Sequence, residues 1–305
     1  VPTAVSQADS APIIVKHSLG TLTLPKVATR VVACSEEAID FLITLGVQPI
    51  GICSDRISGA GTGVSYERPH FFPKQLLGTP TFLGSANSPT LEQIVALKPD
   101  MIVSGVWAES ANDDLAEIAP TFVVDTDAPG YWRETLSEIG RALGRESQAQ
   151  QFLADYDASA KRLAEQLAPV AAEAPNVLFI YSFSATDGTM VLGPTWNGSK
   201  PFELLGFNVI EPAGLDLSNG GVAPTSPEIL SNTDADIVFL MRPKTDDGQI
   251  PRYPIDDLLD SLQGPRIVRQ YIDATRGSTA PYTDKFVLEE IAGLLDATSA
   301  ATGGA

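Results

Sequence analysis

From residue 30 onward, short apolar runs rich in β-branched residues alternate with stretches of helical period. Arg30-Val-Val-Ala-Cys34 is a strand pattern. The following SEEAIDFLITLG predicts a helix, with Ser35 as N-cap, acids in the first turn and glycine past the end. PIGIC at 49–53 is the next strand, so the chain opens on a strand–helix–strand unit that predicts a parallel pair with a right-handed crossover. A glycine-rich loop fills 54–69. Residues 90–97 then predict a short helix, 101–104 a strand, 114–119 a helix and 121–125 a strand that closes the first half.

Between 131 and 167 the apolar positions Leu136, Ile139, Leu143, Phe152, Tyr156 and Leu163 recur at roughly helical spacing, weakened only at Gly140 and Gly144 and ended by Pro169. This is longer than the usual helix of about 8–20 residues and predicts one or two stacked helices bridging two lobes. Beyond it, strand patterns at 176–181, 189–192, 207–210, 236–241 and 267–271 alternate with helical ones at 199–205, 226–230 and 283–295. Such alternation gives an α/β fold: two lobes with mainly parallel central sheets flanked by helices, joined by one long interdomain helix. The expected boundaries are a flexible N-terminal spacer at 1–20, an N-terminal lobe at 21–129, the linking helix at 130–170 and a C-terminal lobe at 171–298.

Charge and rare residues narrow the chemistry. A net charge of −18 opposes phosphate backbones and anionic lipid heads, so nucleic acid is excluded as a partner. No run approaches the roughly 20 apolar residues of a membrane span. The first 20 residues are small and polar and lack the charged and apolar regions of a signal peptide. Only two histidines occur, His17 and His70, too few for a bare zinc or manganese site. No GxSxG, HExxH or Walker phosphate loop is present, which leaves an enzyme on a doubly wound scaffold as a distant alternative. Gly59-Ala-Gly-Thr-Gly63 runs into SYERPHFFP instead of a helix, so it reads as a surface loop and not a phosphate cradle. The two cysteines, Cys34 and Cys53, both fall at the ends of neighbouring strands. A bridge is conceivable there, but the poor torsions of in-register parallel pairs favour two buried thiols.

The two halves share a phrase. TLEQIVALKPDMIV at 90–103 matches SPEILSNTDADIVF at 226–239: a short helix with glutamate near its start, a turn ending in aspartate, and a buried strand. Together with LPKVATRVVACSEEAIDFLITLGVQPIGI (24–52), LGSANSPTLEQIVALKPDMIVS (83–104), LAEIAPTFVVD (115–125) and KPFELLGFNVI (200–210), this duplication spans most of residues 20–298. The chain thereby resembles the siderophore- and cobalamin-binding family of periplasmic binding proteins of ABC importers, whose two α/β lobes are joined by one rigid helix. The resemblance implies export to the periplasm or the outer face of the membrane, with residues 1–20 as the spacer behind a removed signal or lipid anchor. It implies a monomer without covalent cofactor that captures an Fe(III)-siderophore between its lobes, the iron being held by the chelator and not by metal ligands of the chain. It also implies that Glu92 and Glu228 dock on arginines of the permease. Physically these are two carboxylates in the first turn of a helix, one per lobe, where stabilisation of the helix dipole, worth about 0.3–1 kcal/mol, is the competing explanation.

Ligands of α/β sheets sit beyond the carboxyl ends of the strands. That rule selects 34–37, 54–56, 84–86 and 105–107 in the first lobe and 181–183, 196 and 241–242 in the second. The candidate contacts are Ser35, Glu36, Arg56, Ser85, Trp107, Tyr181, Trp196 and Arg242. Tryptophan faces suit the apolar arms of a chelate, and arginine suits carboxylate or catecholate charge; packing or surface charge is the competing reading for each. Acidic composition favours a neutral or weakly charged hydroxamate or mixed carboxylate over a trianionic catecholate. Cobalamin and haem, which also use aromatic clefts, stand as alternatives.

Overall fold

The computed structural model describes residues 11–54, 58–59, 63–64, 72–125, 128, 131–182, 188–218, 220–226, 233–243, 252–261, 266–272 and 280–302. The chain divides into two units, Val1–Leu153 with Ala280–Tyr282, and Ala154–Thr279 with Thr283–Ala305.

The first unit begins with an antiparallel hairpin of β1 (Ile13–His17) and β2 (Gly20–Leu24). Then follow β3 (Val31–Cys34), α1 (Glu36–Thr44) and β4 (Gly51–Ile52), a small ladder of β5 (Ser58–Gly59) and β6 (Gly63–Val64), and α2 (Lys74–Leu77). The chain continues through β7 (Thr81–Phe82), the paired β8 (Gly84–Ser85) and β9 (Ser88–Pro89), α3 (Leu91–Leu97), β10 (Met101–Gly105), α4 (Glu109–Ile118), β11 (Thr121–Val124) and α5 (Tyr131–Ala142). Five of these strands form one parallel sheet in the order β11-β10-β3-β4-β7. Its strands are buried at every position of β3, β10 and β11, as expected where helices cover both faces. From β3 the chain builds outward to β7, then returns to the other side of β3 for β10. The order therefore reverses between β3 and β10.

The hairpin corrects the expected spacer at 1–20. Residues 13–17 are a strand, and its tip closes the exposed edge of β11: Ser18 Oγ donates to Val123 O at 2.7 Å, and Val123 N donates to His17 Nδ1 at 3.3 Å. Arg141 of α5 adds a 2.7 Å bond to Ile14 O. Residues 1–10 lie outside the described set.

The expected linking helix at 130–170 is two helices. Gly144, at φ +60°, ends α5, and α6 (Glu146–Glu173) carries the chain from the first unit into the second. Pro169 does not end α6, because Leu167, Val170 and Ala174 are buried on either side of it and hold the last turn against the second unit.

The second unit contains β12 (Asn176–Ser182), β13 (Thr189–Leu192), α7 (Lys200–Leu204), β14 (Asn208–Val209), β15 (Val222–Pro224), β16 (Ile237–Pro243), α8 (Pro254–Ser261), β17 (Arg266–Ile272) and α9 (Pro281–Thr302). Its sheet runs β15-β13-β12-β16-β17, with β14 beside the start of β12. Strands β12, β14, β16 and β17 are parallel, whereas β13 and β15 join antiparallel. One face carries Leu178, Ile180, Val238 and Leu240 under α8; the other carries Phe179 and Phe239, packed edge-on with Phe202 at 5.0 Å. The fold is α/β with a long helix, as the alternation predicts.

Candidate functional site

In the first unit the reversal of strand order lies between β3 and β10, the place where an open α/β sheet leaves a crevice at its carboxyl edge. Four strand ends meet there. Ser35 follows β3 with extended backbone and caps α1, its Oγ accepting from Ala38 N at 3.0 Å. Gly105 ends β10 so close to Ser35 that a Cβ on it would stand 3.6 Å from the serine hydroxyl. Glu36 opens α1, where the dipole favours an acid, and accepts a 2.6 Å bond from Ser54 Oγ although both side chains are buried. Ser54 N in turn donates to Gly84 O at 3.0 Å, which brings half-buried Ser85 to the same edge. Gly84 has φ +98°, a conformation that favours glycine and lets this loop turn back at the strand end.

Trp107 sits in a single 3-10 turn at 106–108 between β10 and α4, so its backbone belongs to this edge; its side chain lies outside the described atoms. The turn is pinned by Asn112, whose amide donates to Gly105 O at 3.0 Å from a buried position. Arg56 lies outside the described residues. Within the first unit the structure thus gathers Ser35, Glu36, Ser85 and the Trp107 turn. It adds Asn112, which nothing in the local sequence marks as a brace.

Cys34 and Cys53 are joined by a disulfide, contrary to the expected buried thiols. The physical reason is register: Val32 faces Gly51 and Ala33 faces Ile52, so the next step sets the cysteines side by side with Cα atoms 4.3 Å apart.

In the second unit Tyr181 stands near the carboxyl end of β12, in register with Met190 on one side and Met241 on the other. All three are half-buried and share one face of the sheet. Two residues further down that face, Phe179 contacts Phe239 at 5.6 Å and Trp196 at 5.8 Å. Trp196 is half-buried, and its ring packs over Gly198, where any Cβ would collide with it.

Arg242 is on the opposite face. Its guanidinium is 1% exposed and bonds both oxygens of Asp256, at 2.7 and 3.0 Å, with the Tyr253 ring 4.9 Å away. Asp256 also accepts from Tyr253 N at 2.9 Å, the backward half of a capping box that starts α8. The structure therefore turns Arg242 inward, braced against α8, and separates it from Trp196 by the sheet. Asp256 carries no motif that the sequence offers.

Glu92 is exposed in the first turn of α3. Glu228 and the expected helix at 226–230 fall on residues 227–230, outside the described set. Among the described residues no group of three His, Cys, Asp or Glu side chains could hold a metal ion, and no helix is long and apolar enough to cross a membrane.

Comparison with known proteins decides the family. Residues 31–255, more than half of the chain, match the family model described as periplasmic binding protein. The chain belongs to the periplasmic binding protein family. A protein of this family is a carrier, not an enzyme. Among curated relatives, the putative ABC transporter substrate-binding lipoprotein YhfQ of Bacillus subtilis is 28% identical, over 77% of this chain and 72% of its own. The ferric-anguibactin-binding protein FatB of Vibrio anguillarum is 24% identical, over 78% of this chain and 70% of its own. The solved structure of Staphylococcus aureus SirA complexed with staphyloferrin B superposes with a TM-score of 0.71 at 22% identity, covering 93% of this chain and 98% of SirA. The family match bears out the carrier reading over the enzyme alternative.

Proposed function

We propose that this periplasmic binding protein captures a ferric siderophore outside the cytoplasm and delivers it to the permease of an ABC importer. The observation that carries the reading is the family match combined with relatives named for ferric chelates along most of the chain's length. The proposed contacts are Ser35, Glu36, Arg56, Ser85 and Trp107 in the first unit, and Tyr181 and Trp196 in the second. Hydroxyls and a carboxylate suit the polar periphery of a chelate. The aromatic and thioether face of Tyr181, Met190 and Met241 suits its apolar arms. Arg242 acts from behind, by fixing the end of β16. Iron stays within the chelator, so the chain needs no ligands of its own and no covalent cofactor.

Glu92 and Glu228 are the proposed docking carboxylates, one for each unit, and the carrier works as a monomer held at the membrane by a lipid anchor or secreted. Titrating a panel of ferric hydroxamate, carboxylate and catecholate complexes against intrinsic tryptophan emission tests the reading. Saturable quenching by a ferric complex, absent with the iron-free chelator, is the expected result.

A further inference from the structure

We propose that the Cys34–Cys53 disulfide is a positioning element of the ligand-facing edge, so that affinity for the ferric chelate depends on this bond being formed. The inference rests on the ferric-chelate reading above. Both cysteines are fully buried, and each directly precedes a residue of the strand-end cluster: Cys34 leads into Ser35 and Glu36, and Cys53 into Ser54. The hydrogen bond from Ser54 to Glu36, at 2.6 Å, is a second link immediately beyond the covalent one. Backbone pairing at this corner is short. The ladder of β4 with β3 covers only two residue pairs, and β4 meets β7 at two more, before the chain leaves the sheet. At the end of β4, Leu83 N donates to Ile52 O, Cys53 N to Ala33 O and Ser54 N to Gly84 O. A crosslink at this place fixes the spacing between the Ser35/Glu36 turn and Ser54, and through Gly84 the approach of Ser85. A carrier working outside the cytoplasm meets the oxidising conditions in which such a bond persists.

Linkage sets the test. If the bond favours the ligand-competent edge, bound ligand must favour the bond by the same factor. The full chain is titrated with ferric citrate, a ferric trihydroxamate and a ferric tricatecholate in three forms: oxidised, reduced, and Cys34→Ala/Cys53→Ala. All are held well below their unfolding midpoints, with circular dichroism confirming the fold. Reduction by dithiothreitol breaks one protein disulfide, forms two protein thiols and leaves the reagent as its cyclic disulfide. Affinity for the complex that binds the oxidised chain should fall by roughly five- to a hundredfold in both other forms, and that complex should shift the thiol–disulfide equilibrium toward the bridge by a matching factor. Equal affinities in folded oxidised and reduced protein, an equilibrium that ignores the ligand, or two alkylatable thiols in the untreated chain would each overturn the proposal. If the oxidised chain binds none of the three complexes, the ferric-chelate reading fails separately. Amide exchange at Ala38 and Ser54 then decides the inference: faster exchange on reduction supports a clamped edge, and unchanged exchange refutes it.

Discussion

At the scale of single residues, the buried pair of Arg242 and Asp256 carries a large energetic stake. Both side chains are almost fully buried, so removing one leaves an uncompensated charge in low dielectric. Asp256→Ala should cost about 3–5 kcal/mol in urea unfolding, and Arg242→Met with Asp256→Leu should recover most of that loss. A loss below about 1 kcal/mol for the single variant, the range of exposed pairs, would contradict the burial seen here. Trp196 is the opposite case, half-buried at 5.8 Å from Phe179. Trp196→Ala should weaken ferric-chelate binding roughly ten- to a hundredfold while leaving the thermal midpoint near the parent's. A collapsed midpoint with retained binding would assign the ring to packing alone. Arg242 is recognisable in the sequence as a cation at a strand end. Its inward direction is not, because a partner 14 positions away leaves no local trace.

Among the elements, the N-terminal hairpin adds a pH dependence. Burial lowers the His17 pKa from its ordinary 6.5, and Nδ1 accepts from Val123 N only while it carries no proton. Folding thus favours the neutral ring, so the contribution is fully present above pH 6.5 and is lost as pH falls below it through the lowered folded value. Urea unfolding of parent and His17→Gln across pH 7.5 to about 4.5 should show a steeper loss for the parent on the acid side. Parallel curves would remove His17 from the account. The parallel strands β3, β10 and β11 are legible in the sequence because burial on both faces makes them continuous apolar runs. The hairpin is not, since Ile14 and Leu19 remain exposed and its pairing depends on α5 and β11, distant in sequence. Helix α8 hides for a related reason: Asp256, Asp257 and Asp260 interrupt its apolar face, and only the buried Arg242 makes one of those acids an inward residue.

For the molecule as a whole, the phrase repeated at 90–103 and 226–239 puts one glutamate in each half of the chain, and it motivates a separation of labours. Glu92 is exposed and is not among the proposed chelate contacts, so Glu92→Ala should leave chelate affinity and stability close to the parent's. Stimulation of the permease's ATPase should fall with Glu92→Ala or Glu228→Ala, fall further with both, and fall most with lysine, which sets like charges together. Added salt should weaken the coupling if the contacts stay partly solvated. Parental transport with both glutamates removed would end the docking assignment while leaving ligand capture untouched. The identity of the ligand can be read from one titration. Ferric siderophores, their iron-free forms, haem and cobalamin are added in turn to the oxidised chain while tryptophan emission is followed. Saturation by a ferric siderophore with a dissociation constant at or below about 1 μM, and none by its iron-free form, is the expected result; saturation by haem or cobalamin with every ferric siderophore inert would overturn the ferric-siderophore assignment.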